Sequence, residues 1–499
     1  MCRCADVQMC KLFEQRCTIT CSFIHLNMRK YLFFILYCGF LQSAFPQAQY
    51  VTFRIDSAVR AAMQSRQIPG MQVAVIKYGL ILKKGNYGFS NLEDRVGVTD
   101  STLFSIASMS KAFTCAGILL LMEDGKLGID DSVGKYFDSL PASWNGITIR
   151  QLMNHTAGLR DDWDEDDNFF YTNKSDSAFL AALKTAPLKF QPGQGFSYGC
   201  GPFILGLIIA KVSGESYPNF IKRRIFDKLG MTNSRVNDAE SVIPNRAAGY
   251  LLRDNKIIHG RQISAAAQAR GDVGVLTTVT DMLKWYAALR DSSLLQKSSV
   301  NLMFSPGTLN DGHTIPYGFG WFLNPYRDHS LISHGGGFRT GFGSIMEIYP
   351  EDGVCIMILC NLGQSHPYLI AKDIVGLFNP DYARSSRMDS VTDPDTVRTL
   401  LLKSFFTELG LNIDTTRKMA RELHLAFYPE TEEDLGSFRD ITEFTFIKSI
   451  RPSKPKPDIF GDIIQGIYLY KVKCKETPAR YYAFLLDPTG KVVYMDYEE

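Results

Sequence analysis

Residues 103–122 read LFSIASMSKAFTCAGILLLM, and this stretch decides the fold. Leu103-Phe104-Ser105-Ile106 is strand-like, and from Ser108 to Met122 the pattern is an apolar helix closed by Asp124-Gly125. Ser108 and Lys111 stand three apart at the start of that helix, so their side chains share a face. Unpaired backbone N–H groups at such a terminus help to hold an oxyanion. A serine hydroxyl is a poor nucleophile until a neighbour takes its proton. A lysine does so once burial lowers its pKa, and a move from ~10.4 to ~7.5 corresponds to ~4 kcal/mol of environmental bias. Spacing alone reads equally well as an N-cap serine beside an ordinary lysine. Two further Ser-x-x-Lys tetrapeptides lack this setting. Ser132 follows Asp130-Asp131 and reads as a cap or turn residue, and Ser453 lies in RPSKPKPD, whose prolines forbid a helix.

Working outward, Tyr50 to Gln67 carries Val51, Ile55, Val59, Ala62 and Met63 at helical spacing and stops before Pro69-Gly70. Val73-Ala74-Val75-Ile76, a Tyr78-Gly79 break and Ile81-Leu82 predict a hairpin. Residues 130–320 read mostly as helices between Gly/Pro/Asn loops, such as Gly206 to Val212 and Val279 to Leu289. Strands return from Phe338 to Leu359, with Gly343 to Ile348 and Val354 to Leu359 split by Pro350-Glu351-Asp352-Gly353, and a helix follows from Tyr368 to Phe378. Strands at both ends of a helical middle predict an α+β fold: an antiparallel sheet built from distant segments, flanked by helices, with a helical subdomain. A polar linker (381–395) leads to a small α+β domain (396–499), with a helix from Thr396 to Leu409 and strands at Phe444–Ile450, Ile467–Lys473, Tyr481–Leu486 and Val492–Tyr497.

Four stretches then stand together: TLFSIASMSK (102–111), ITIRQLMNHTAGL (147–159), PGQGFSY (192–198) and His334-Gly335-Gly336-Gly337 with Gly341-Phe342. In order and spacing they resemble the motifs of the serine β-lactamase-related family, which includes class C β-lactamases, DD-peptidases, D-aminopeptidases and esterases. The resemblance covers about residues 51–378 and implies a β-lactamase/transpeptidase-like fold for residues 49–380. It implies that Ser108 is the nucleophile and that Lys111 and Tyr198 form the base system. His334 and Gly336 would line the opposite edge of the cleft, and the backbone N–H groups of Ser108 and Gly337 would form the oxyanion hole. No cofactor or metal is implied. One position departs from the pattern: Cys200 stands where the family often has the Asn of Tyr-x-Asn, whose amide bonds the substrate. A thiol is a poor donor and a weak acceptor, and losing a buried polar partner costs ~1–3 kcal/mol. Simple esters, which need less amide recognition, suffer least from that loss.

The rest of the sequence bounds the function. With 499 residues, 45% hydrophobic and 21% charged, the chain buries a full core, and disorder is excluded. Lys+Arg 54 against Asp+Glu 52 is too balanced for a general nucleic-acid binder. Met28-Arg29-Lys30 followed by the apolar run Tyr31 to Leu41 reads as a signal peptide over 28–48, since a membrane span needs about 20 apolar residues. Export, periplasmic or secreted, is therefore expected, with the membrane engaged only through that signal; an anchoring helix is the rival. Residues 1–27 fit no such pattern and are expected to precede the true start at Met28. Of 11 cysteines, Cys115, Cys200, Cys355, Cys360 and Cys474 lie outside this leader, with no zinc-like spacing.

Asp161 to Asp167 is a strongly acidic loop in which Asp162, Asp164 and Asp166 mimic the start of a calcium loop. Asp167 and Asn173 break that pattern at its sixth and twelfth places, so a solvated loop is expected. Lying over the cleft, it would favour cationic substrates. The expected function is an exported serine hydrolase acting on a small-molecule ester, amide or peptide. Carboxylic esters rank first, then D-amino-acid peptides, then β-lactams. The rival from another class is a non-catalytic acyl- or β-lactam-binding protein.

Overall fold

The computed structural model describes residues 50–160, 175–237, 241–261, 270–327, 329–338, 340–384, 390–410, 440–451, 456–457, 463–475 and 479–498. The leader, the acidic loop at 161–167, Ser453 and part of the linker lie outside them. Residues 50–57 belong to the unit Met1–Ser57, and everything below lies in the unit Ala58–Glu499.

β1 (Gly70–Lys77) and β2 (Leu80–Asn91) form the expected hairpin. Its turn residues Tyr78 and Gly79 both have positive φ, 49° and 82°, the geometry that suits the twist of a two-residue connection. β3 (Val96–Gly97) pairs with β2. The rest of the sheet comes from far along the chain: β4 (Ile332–Phe338), β5 (Phe342–Tyr349) and β6 (Val354–Cys360). The order is β4-β5-β6-β1-β2-β3, every pair antiparallel. β1 and β6 take the middle because their residues are apolar almost throughout and buried on both faces. Gln72 is the polar exception, and its amide is satisfied: Nε2 donates to Thr99 O at 2.6 Å and Oε1 accepts from Val279 N–H at 3.0 Å.

α1 (Ser110–Glu123) is buried from Ser110 to Leu121, as a helix apolar on all sides must be. It shares one core with α2 (Gly201–Ser213) and α3 (Val279–Asp291), and Phe113 meets Trp285 at 4.4 Å between ring centroids. α4 (Pro367–Val375) packs on β5 and β6. It starts one residue before its expected bound, at a proline that needs no N–H partner in the first turn.

Near the carboxyl end, α5 (Thr396–Gly410) and the antiparallel strands β7 (Ile441–Ile450), β8 (Gly466–Cys474), β9 (Arg480–Leu486) and β10 (Val492–Glu498) have apolar clusters of their own. Leu402, Phe405, Phe406 and Leu409 of the helix meet Tyr470, Tyr482 and Phe484 of the sheet.

Two expectations need correction. The stretch 130–320 also holds short β-ribbons, including Tyr250–Arg253 paired with Lys256–His259. Its turn, Asp254-Asn255, has φ of 51° and 60°, because those residues tolerate the left-handed region that a tight hairpin requires. The helix expected from Ser108 begins at Ser110, and Ala107–Met109 form a tight 3₁₀ turn ahead of it. Ser110 is tied sideways: its Oγ accepts from Val275 N–H at 3.0 Å.

Candidate active site

Ser108 sits in the 3₁₀ turn, partly exposed. Ala107 before it has φ +44°, a conformation costing an L-residue ~1–2 kcal/mol. The surroundings hold this turn in place. Ile106 N–H donates to Val275 O at 3.1 Å, and the Ser344 hydroxyl lies 3.0 Å from Ile106 O and 3.1 Å from Gly336 O, donating to that pair. Gly336 is where β4 touches the turn: a Cβ there would come within 2.2 Å of Ile106 O and 2.8 Å of Ser108 N. The missing side chain thus lets the strand, and not only a substrate, lie against Ser108. Gly337 follows with φ +148° and is exposed.

Lys111, one helical turn on, is only 4% exposed. Its Nζ is 2.9 Å from Ser108 Oγ and 3.3 Å from Asp272 O. It also lies 4.8 Å from the centroid of the Tyr198 ring. The structure therefore brings Ser108, Lys111 and Tyr198 together. Tyr198 is held in this group through its ring. Its ring stacks on Phe322 at 5.7 Å and meets His155 at 4.6 Å and His334 at 6.1 Å.

The loop carrying Tyr198 is zipped onto the 155–158 segment. Gly193 N–H donates to Thr156 O at 2.8 Å and Ser197 N–H to His155 O at 2.9 Å. Gly199 N–H donates to His155 Nδ1 at 3.1 Å. The remaining ring nitrogen, Nε2, is buried without a hydrogen-bond partner among the described residues. Burial, with Lys111 and His334 nearby, holds the His155 pKa well below its ordinary value. Residue 155 is a member of the quoted HTAGL stretch to which the sequence assigned no role.

Two expected substrate-facing residues turn inward. His334 is 1% exposed. Its Nδ1 is 2.6 Å from Gly335 O, so it carries the proton, and Nε2 accepts from Tyr317 O–H at 3.0 Å. Burial first, then the Lys111 charge, pushes its pKa down to about 3, while burial keeps the Tyr317 phenol protonated. Cys200 is 2% exposed and caps α2. Gly201 draws it in: a Cβ there would meet Leu152 O at 2.4 Å, so the chain packs against α2's neighbour at this point. Ser108 and Tyr198, by contrast, are part-exposed. Tyr317, Asp272 and Ser344 join the site from segments that no local motif marks.

Ser132 is the turn residue expected, with Oγ accepting from Gly134 N–H. Among the described residues no cluster of three or more His, Cys, Asp or Glu side chains is placed to hold a metal, and no helix is long and apolar enough to cross a membrane.

Known proteins resemble this chain. The chain is 31% identical over 310 residues to penicillin-binding protein 4* of Bacillus subtilis, covering 58% of this chain and 67% of that one. It spans about two thirds of the length of the curated relatives it matches. A solved penicillin-binding protein from Bacillus halodurans superposes with a TM-score of 0.55 at 25% identity, covering 64% of this chain and 98% of that one. D-amino acid amidase of Ochrobactrum anthropi (TM-score 0.56, 23% identity, 66% and 99% covered) and the hydrolase EstCE1 (0.56, 22%, 66% and 98%) share the fold. The family model described as Beta-lactamase matches residues 55–377. With the Ser108–Lys111 pair set on this sheet-and-helix frame, the chain belongs to the beta-lactamase family of serine hydrolases.

Proposed function

We propose that this protein is an exported serine hydrolase that cleaves carboxylic esters or small amides through an acyl-enzyme at Ser108. The observation that carries the reading is the 2.9 Å contact between Ser108 Oγ and the buried Lys111 Nζ. Once Lys111 has given up its own proton, its amine takes the Ser108 proton as Oγ bonds to the substrate carbonyl carbon. The carbonyl electron pair moves to oxygen, where the N–H groups of Ser108 and Gly337 receive it. Collapse breaks the bond to the alcohol or amine, which leaves with a proton returned through Lys111 and Tyr198. Water then attacks the acyl carbon and frees Ser108.

The thiol at 200 is buried and a poor hydrogen-bonding group, so it offers an amide substrate no amide partner there, which favours esters over amides. The solved neighbour named as a D-amino acid amidase supports amides, the one named as a hydrolase with acyltransferase activity fits an acyl-enzyme route, and the relative named for penicillin binding adds β-lactams. Incubation with a fluorophosphonate followed by intact-mass spectrometry tests the nucleophile. One adduct that maps to Ser108 and disappears in Ser108→Ala is expected. Well-folded protein that takes no adduct would instead support the non-catalytic binding reading. Short-chain p-nitrophenyl esters, D-amino-acid amides and nitrocefin then rank the substrates, with esters turned over fastest. Export is tested by amino-terminal sequencing of the native protein, with a start between residues 42 and 50 expected.

A further inference from the structure

We propose that His155 is a positioning residue for this reaction: it holds Tyr198 at Lys111 by accepting hydrogen bonds from the N–H groups of the two residues on either side of the tyrosine. The Ser197 N–H goes to His155 O at 2.9 Å, and the Gly199 N–H goes to His155 Nδ1 at 3.1 Å. One residue thus fixes the backbone on either side of Tyr198, with its ring 4.6 Å from the tyrosine ring. The phenol needs such a device, because its ring stands 4.8 Å from Lys111 Nζ and must keep that place for its hydroxyl to pass a proton.

The conformation of His155 fits the role. Its φ of +61° is rare for a non-glycine residue, and it lets the carbonyl and the side chain of one residue address the same loop. An imidazole that accepts at Nδ1 carries its proton on Nε2. Burial keeps the ring from taking a second proton, so Nδ1, already bonded to the Gly199 N–H, stays an acceptor. Since Nε2 has no hydrogen-bond partner among the described residues, the contact to Gly199 is the polar work of this side chain.

The proposal rests on the reading of Tyr198 as part of the base system, so Tyr198→Phe is measured in parallel. His155→Phe keeps a ring and loses the acceptor, whereas His155→Asn keeps an acceptor near the Nδ1 place and loses ring volume. With the full-length protein and an ester substrate, His155→Phe is expected to lower kcat by roughly 30–100-fold with KM within about 3-fold, as a small misplacement of a reacting group does. His155→Asn is expected to restore kcat to within about 5-fold of the parent. A packing role gives the opposite order, with Phe more active than Asn, and that result overturns the proposal. Should His155→Phe fail to fold, His155→Gln, which reaches the Nε2 place and leaves the Nδ1 place empty, supplies the same contrast with Asn. Full activity in Tyr198→Phe would remove the base reading itself. Loss in Tyr198→Phe alongside an unaffected His155→Phe would remove only the positioning role.

Discussion

Lys111 Nζ donates to Ser108 Oγ and to Asp272 O, and the second contact aims it at the first. Aim and basicity are separable. Lys111→Arg places a guanidinium that stays protonated at any working pH and cannot serve as a base, so adduct formation at Ser108 is expected to slow by about 10³-fold, read as the labelling rate by mass spectrometry. His334 makes a different statement, about stability. Its imidazole is held near pKa 3 in the folded chain and titrates near 6.5 when unfolded. The unfolded state therefore binds the extra proton between those values. Stability contributed at neutral pH falls as pH drops from 6.5 towards 3, by a few kcal/mol at most on the order expected for such a shift. Urea midpoints measured from pH 7 to pH 4 are expected to decline, and His334→Gln is expected to flatten the decline by up to one proton. At this scale the sequence marked Ser108, Lys111 and Tyr198 through their motifs. It did not show that His334 and Cys200 face inward, because burial of a single side chain depends on neighbours such as Tyr317 and Leu152 that come from elsewhere in the chain.

Among the elements, β4 and the turn at 107–109 behave as one piece, joined at Gly336 and clasped by Ser344. A methyl group at residue 336 would strike backbone rather than a yielding side chain. Gly336→Ala is accordingly expected to cost about 1–3 kcal/mol in unfolding free energy and to lower kcat/KM by about 10²-fold by displacing Ser108. Ester assays and denaturant unfolding on the same preparation check both; unchanged activity would show that the strand and the turn move independently. The elements most legible beforehand were those with long apolar runs, β1, β6 and α1, whose burial is written in their composition. The Tyr250–His259 hairpin was signalled only by Asp254-Asn255, a turn pair easily read as an ordinary loop between helices. The 3₁₀ turn before α1 had no local sign, since Val275 and Ser344 impose it from outside.

In the molecule as a whole, the sheet bearing the site and the carboxyl-terminal sheet each close around separate apolar clusters. A chain ending at residue 384 is therefore expected to keep ester hydrolysis within about 3-fold of the full chain, with a melting transition shifted by no more than about 2–4 °C per kcal/mol lost. Calorimetry and activity on the truncated protein test this, and an insoluble or inactive product would show that the last segment completes the first. The central seam of the large sheet has a further consequence, in time rather than in space. Met71 pairs with Cys360 and Lys77 with Val354, so β1 is made long before its neighbour exists. At about 5–20 residues per second, the ribosome leaves that edge without a partner for tens of seconds. Until β6 emerges the sheet cannot close and the Ser108 turn lacks the strands that brace it. The nascent chain is thus an unfinished and inactive thread during the interval in which a secretory pathway would take it up.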